Sequence, residues 1–334
     1  MERRTSELRI EDEVLEALVE VLEPGAGVRR VEVMSGGLAN TNYRVDTERG
    51  SRVLRLVTRS PASAEKEALL LTELAGLGVP VPRLLGRTPA GAAGCPAPAL
   101  WQELLPGQTL EEAIPELDLL GSVALGRALG AALVRVHERR FAEAGDLVVR
   151  GGELVVSPWT FPHEKAGAEG TPLERYVRYC LEQTPAGARL GSLAEEVRTF
   201  VSETSGRWSS GPARLVHADF KPCNLMVEEE AEGWALKGIL DWEFAHAGTP
   251  YSDYGNLFRA RSPALPQGFE EGFVEGLREG GVELPLDWRA RRARVDLTSA
   301  LDFLSSDRDL PERHAACLAQ VRATLALPLS PEEG

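Results

Sequence analysis

The chain is poor in the groups that announce several common functions. Its four cysteines, Cys95, Cys180, Cys223 and Cys317, lie far apart, with no CxxC pair and no Cys/His cluster. That spacing excludes the usual zinc patterns and a disulfide framework, and points to reduced thiols in a cytoplasm. Basic residues are outnumbered, 37 Lys plus Arg against 51 Asp plus Glu, for a formal charge of −14. A nucleic-acid partner would be repelled by most of such a surface, whereas a cationic small molecule would be drawn to it. The same charge also serves solubility. No uninterrupted apolar run reaches membrane-spanning length, and the start, MERRTSELRIEDEV, lacks the apolar core of a signal peptide. A cytoplasmic protein that does not enter a membrane is expected. A G-x-x-x-x-G-K-[ST] stretch is missing too, which rules out a P-loop enzyme.

What is present describes a soluble chain of ordinary composition, 43% hydrophobic and 26% charged. With 334 residues it is too long for one small core, so two lobes are expected. Helical spacing of apolar residues over 10–23 ends at Pro24-Gly25. Val-rich alternation then predicts strands near 28–34, 41–47 and 52–58. A leucine-faced helix follows over 63–77, and PAPALWQELL reads as another strand, stopped by Pro106-Gly107. Beyond that point helices dominate: a long one over 119–140, then two near 173–185 and 192–204, and several between 252 and 327. A hairpin at 146–157 and short strands near 213–217, 224–228 and 235–241 interrupt them. The expected division is a small sheet-rich lobe, 1–104, and a larger, mainly helical lobe, 105–334.

Between two of those short strands lies HADFKPCN, His217 to Asn224. Asn224 follows Asp219 by five residues, and Asp241 ends the apolar run GIL seventeen residues further on. Taken singly, Asp and Asn are common turn residues. Together at this spacing, bracketed by buried strands, they can face one cleft. One carboxylate able to take a hydroxyl proton, with an amide and a second carboxylate able to hold Mg²⁺, is what phosphoryl transfer requires of a protein. Lys221 could place a cation near the transferred group.

HADFKPCN resembles the kinase catalytic loop H-R-D-L-x-x-x-N, and LDWE resembles the segment that carries D-F-G. The wider run VHADFKPCNLMV…GILDWEFAHAGTPYSDYGNLFR is similar to the aminoglycoside phosphotransferase family, as are SGGLANTNYRV…RVLRLV, EKEALLLTEL and VPVPRLL. The likeness spans roughly residues 28 to 305. It implies an α+β, two-lobed, protein-kinase-like fold, with a small antiparallel-sheet N-lobe and a larger helical C-lobe. It further implies an ATP- and Mg²⁺-dependent kinase acting on a small-molecule hydroxyl. By the same resemblance Asp219 would be the base, Asn224 and Asp241 the magnesium ligands, and Arg55 the group touching the α/β-phosphates. Glu67 would pair with Arg55, Gln102 to Leu104 would form the hinge for adenine, and the loop of Gly36 and Gly37 would cover the phosphates.

The chain departs from protein kinases in lacking G-x-G-x-x-G-x-V, V-A-I-K and A-P-E segments, which argues against protein substrates. Three readings remain open at this point: an aminoglycoside-phosphotransferase-type antibiotic kinase, a metabolic kinase of the same shape acting on an amino alcohol, amino acid or sugar, and a nucleotide-binding module without catalysis. Around the motif, His217 reads as a packed, hydrogen-bonded brace and Asp253 as a partner of the loop backbone or a helix cap. Glu243 reads as a helix or turn cap, Cys223 as an incidental thiol, and Trp101 and Trp242 as core. Acceptor pocket and oligomeric state are not legible.

Overall fold

The computed structural model describes residues 8–34, 40–58, 60–162, 169–208, 212–259 and 264–327. Its first part contains α1 (Asp12–Leu22), β1 (Val28–Val33), β2 (Thr41–Thr47), β3 (Gly50–Leu56), α2 (Ser63–Gly76), β4 (Leu84–Thr88) and β5 (Ala99–Glu103). The five strands form one antiparallel sheet in the order β1-β2-β3-β5-β4. Period-two alternation sends Leu54 and Leu56 of β3 into a core with Leu15 and Leu18 of α1 and Trp101 of β5. Their neighbours Val53 and Arg55 therefore face the other way, into a cavity. α2 buries Ala64, Glu67, Ala68, Leu71 and Leu74, a stripe at helical spacing that carries one carboxylate among the aliphatics.

The second part runs β6 (Gln108–Thr109), α3 (Leu110–Ala113), α4 (Leu119–Glu138), β7 (Arg140–Phe141), β8 (Gly145–Arg150) and β9 (Glu153–Ser157). Then come α5 (Pro172–Gln183), α6 (Pro185–Leu190), α7 (Leu193–Trp208), β10 (Ala213–Val216), β11 (Leu225–Glu230), β12 (Gly233–Ile239) and β13 (His246–Gly248). It finishes with α8 (Tyr251–Leu257), α9 (Phe269–Glu279), α10 (Trp288–Leu304) and α11 (Pro311–Leu325). Two further antiparallel sheets, β7-β10-β13-β8-β9 and β12-β11-β6, lie among these helices. The architecture is α+β, with an antiparallel sheet first and a mainly helical region after it.

Helix α4 is long and apolar enough on composition to cross a membrane, yet half of that stretch is buried against the rest of the protein. The reason is close packing on α9. A Cβ added at Gly126 or Gly130 would come within 2.1 or 2.3 Å of the carbonyl oxygens of Phe269 or Phe273, and one at Gly272 or Gly276 within 2.1 Å of those of Val123 or Arg127. Glycines on both helices let the two backbones touch, so the apolar surface of α4 is core.

Most elements lie where the sequence pattern puts them. The helix read over 173–185 instead stops at Gln183. Thr184 precedes a proline and is extended (φ −133°, ψ 166°), and its hydroxyl accepts the Ala186 N–H to start α6 with Pro185 in its first turn. β6, β7 and β13, of two or three residues, are too short to show a period and exist through their partners.

Candidate active site

The HADFKPCN stretch leaves β10 of one sheet and enters β11 of another. A chain that changes sheets gives up its ladder bonds, and here side chains replace them. Asp253 of α8, wholly buried, accepts the backbone N–H of His217 at 3.1 Å and of Ala218 at 2.8 Å. The same carboxylate lies 2.9 Å from His137 Nε2. Asn256, one turn along α8, donates to the Ala218 carbonyl at 3.0 Å. Together they hold Ala218 at φ +65°, a left-handed conformation that costs a residue with a Cβ roughly 1–2 kcal/mol. Burial pushes the Asp253 carboxyl up, but the His137 bond and charge and the Ala218 N–H outweigh it, and the net direction is down.

His217 braces the loop from the other side. Its Nδ1 accepts the Asp219 N–H at 3.1 Å, so the proton sits on Nε2, which donates to the Leu240 carbonyl at 2.8 Å. Its ring lies 4.5 Å from the buried ring of Trp242. The Asp219 carboxylate is fixed in turn: Oδ2 accepts Asn224 Nδ2 at 3.0 Å and lies 2.8 Å from Lys221 Nζ. Asn224 Nδ2 also donates to the Asp219 carbonyl at 2.9 Å, while Asn224 Oδ1 accepts the Cys223 thiol at 3.8 Å.

The facing wall is built around Arg55. Its Nε lies 3.1 Å from Glu67 Oε1 and its Nη2 2.6 Å from Asp241 Oδ1, so one guanidinium joins β3, α2 and the chain after β12. Asp241 sits at φ +66°. Burial pushes Asp241 up, but Arg55 outweighs it, with His217 and Lys221 adding to the pull, and the net direction is down. Burial pushes Glu67 up to about 7 against the pull of Arg55. A second tie crosses the cleft where Asn40 Nδ2 donates to Glu243 Oε2 at 3.1 Å while Asn40 Oδ1 accepts the Thr58 N–H at 3.0 Å.

One cavity of about 2020 Å³ is lined by Asp219, Lys221, Asn224 and Asp241, by Arg55 and Glu67, and by Gln102 and Leu104. The structure therefore brings together eight of the ten site residues read from the sequence. Gly36 and Gly37 lie outside the described residues. Asn224 Oδ1 and the Asp241 carboxylate offer hard oxygen donors, and no cluster of three or more His, Cys, Asp or Glu suited to a metal occurs among the described residues. A site with two protein oxygens suits Mg²⁺ completed by phosphate oxygens and water.

Glu243 Oε2 accepts Asn40 Nδ2, a contact 203 residues apart that no local pattern signals. The Asn256 role was visible in outline, since Asp253 and Asn256 are three apart in YSDYGN and share a helix face.

A model of the phosphotransferase enzyme family matches residues 30–294. The chain belongs to that family. A search of curated proteins finds no match. Among solved structures the phosphotransferase is similar to ADP-bound aminoglycoside phosphotransferase APH(2'')-Ib, at 10% identity and a TM-score of 0.61, covering 94% of this chain and 98% of that one. It is similar also to a fructosamine-3-kinase candidate from Thermobifida fusca (21% identity, TM-score 0.59, coverage 93% and 98%). The GDP and kanamycin complex of APH(2'')-IIIa aligns at 19% identity and a TM-score of 0.60, over 93% and 96% of the two chains. At these identities the likeness fixes the fold, which is kinase-like, while the family match makes the chain a phosphotransferase enzyme.

Proposed function

We propose that this phosphotransferase is an ATP-dependent small-molecule O-kinase, with its nucleotide side in 1–104 and its acceptor side in 105–334, working in the cytoplasm. The observation that supports it is the Asp219 carboxylate, held by Asn224 and Lys221, on the same cavity as the Asp241–Arg55–Glu67 chain. Oδ2 of Asp219 is taken up by the amide and the ammonium, so Oδ1 is the atom that accepts the acceptor's hydroxyl proton. The acceptor oxygen bonds to the γ-phosphorus, the bond to the β-phosphate bridging oxygen breaks, and ADP leaves.

Lys221 faces the transferred phosphoryl group and Arg55 the α/β-phosphates, with Glu67 orienting the guanidinium. Gln102 to Leu104 offer hinge backbone groups to adenine, and the Gly36-Gly37 loop covers the phosphates. Asn224 and Asp241 would hold Mg²⁺, which when bound neutralises phosphate charge. The acceptor is a small hydroxyl compound, and the charge of −14 favours the approach of a cation. An antibiotic of the aminoglycoside kind is one reading. A metabolic sugar, amino acid or amino alcohol is the second, favoured by the likeness to a fructosamine-3-kinase candidate. Retention of Asp219, Asn224 and Asp241 together weighs against a module that binds nucleotide without catalysis.

The test is ADP release with ATP or GTP over aminoglycosides, choline-like alcohols, homoserine and sugars, beside Asp219→Ala. Turnover of one class that vanishes in the variant supports the kinase. Nucleotide binding with no acceptor consumed would turn the reading toward the binding module.

A further inference from the structure

The cavity extends past Asp219 to a wall built by α5, α8, α10 and α11 and by the segment after β9. That wall is aromatic: Phe161, Tyr176, Tyr251 and Phe303 line it, all partly buried. Phe161 packs on Tyr176 with ring centroids 5.7 Å apart. Its charges nearly cancel. Among the described lining residues contributed by these four helices and the residues just after α8, Asp302 is the sole carboxylate, set against Arg259 and Arg313. Arg259 is already paired with Asp296 and bonded to Asn256 at 2.8 Å, and the Arg313 guanidinium lies over the Phe303 ring, 5.0 Å from its centroid.

A polycationic acceptor brings several ammonium groups out of water, and each unpaired one costs several kcal/mol. Beyond Asp219 this wall offers one carboxylate, Asp302, to answer one ammonium, and Arg313 repels further ones. Aromatic faces instead suit a flat or apolar body, and can share a single ammonium with Asp302. Behind the wall, Tyr176, Asp302, Phe303 and Arg313 also line a second cavity of about 790 Å³, reaching Cys180, Thr184 and Ser305. The same four side chains thus stand between the catalytic cavity and further space.

We propose that the acceptor is a hydroxyl compound with at most one positive charge and an aromatic or apolar body, seated on the Tyr176, Tyr251 and Phe303 wall, with Phe303 limiting its length. This rests on the kinase reading for the position of its hydroxyl at Asp219. The long-range field of the whole chain still favours a cation, but the groups that would touch the acceptor decide its charge.

Four probes test it by calorimetric binding in the presence of ADP, and separately by phosphate transfer from ATP: kanamycin, glucosamine, phenyl β-glucoside and N-benzylfructosamine. The two aryl probes are expected to bind about tenfold or more tighter than kanamycin and glucosamine. Asp302→Asn should weaken N-benzylfructosamine about tenfold and phenyl β-glucoside less than about twofold. A collapsed pocket would weaken both alike, which would overturn the proposal. Phe303→Ala should raise the affinity for longer aryl glycosides relative to phenyl β-glucoside. Tighter binding of kanamycin, or no binding of either aryl probe, also overturns it. Aryl probes that bind but take no phosphate would leave the wall assignment standing and remove the kinase reading.

Discussion

The carboxylate of Asp253 takes the backbone N–H groups of His217 and Ala218 at 3.1 and 2.8 Å from a wholly buried position. One side chain on α8 thereby sets the conformation of the segment that presents Asp219, and His137 supplies its counter-partner. Asp253→Ala removes a buried acceptor of three bonds and should cost about 3–5 kcal/mol of unfolding free energy. Urea unfolding would show it, and a loss under about 1 kcal/mol would mean that the loop is held by other contacts.

Ala218→Gly probes the same loop in the opposite sense. Ala218 is held at φ +65°, which glycine adopts without strain. The relief, roughly 1–2 kcal/mol, is offset by about 0.4–1 kcal/mol of added freedom in the unfolded chain. The variant should be as stable as the parent or slightly more so by the same unfolding measurement. A clear loss of stability would show that the Ala218 methyl packs.

Asp219→Ala should lower turnover by about 10²–10⁴, the usual range for a positioned acid–base group, with nucleotide affinity kept. Asn224→Ala should raise the Mg²⁺ concentration at half-maximal rate, and it also frees the Asp219 carboxylate from its 3.0 Å bond. A magnesium titration separates the two effects. Loss of rate that saturating Mg²⁺ does not mend is positional, and loss that it mends belongs to metal binding.

Arg55 spans two carboxylates with different nitrogens, Nε toward Glu67 and Nη2 toward Asp241. Lysine has one nitrogen and cannot reproduce that fork. Arg55→Lys is expected to weaken nucleotide binding about tenfold, the worth of one hydrogen bond to a charged group. Equal nucleotide affinity in the lysine variant would show that the guanidinium's second arm has no part in it.

Local pattern made most of this architecture legible. Alternation in β2 and β3 and the leucine stripe of α2 located the first sheet, its helix, and the Arg55 and Glu67 positions within them. HADFKPCN announced itself by polarity between apolar strands. What escaped depends on contacts distant in sequence: Asn40 with Glu243, 203 residues apart, and Arg259 with Asp296. The acceptor wall escaped for the same reason. Tyr176, Tyr251 and Phe303 lie on three different helices, and in sequence each is one aromatic residue on an amphipathic face.

Asn40→Ala removes both an acceptor for the Thr58 N–H and the donor that reaches Glu243. The lost bonds should cost about 1–3 kcal/mol and loosen the approach of the first sheet to the turn after Asp241. A rise in the nucleotide KM larger than the fall in kcat is the expected kinetic signature. An unchanged KM with lowered Tm would confine Asn40 to stability.

Glu67 gives a pH dependence whose sign can be stated. Burial raises its pKa from 4.5 to about 7 in the folded chain, with Asp241 and Glu243 adding to the rise and Arg55 opposing it. Between these values the folded protein holds a proton that the unfolded chain has lost. Stability from this group is therefore fully present below about 4.5, falls as pH rises, and levels off above about 7, with a slope no steeper than about 1.4 kcal/mol per pH unit. Glu67→Gln cannot ionise and lacks that slope. Urea unfolding of the two proteins from pH ~5 to ~8 should show the parent losing ground to the variant as pH rises, then running parallel to it. A stability difference that stays constant across the range would place the Glu67 carboxyl at its ordinary value, fully charged beside Arg55 throughout.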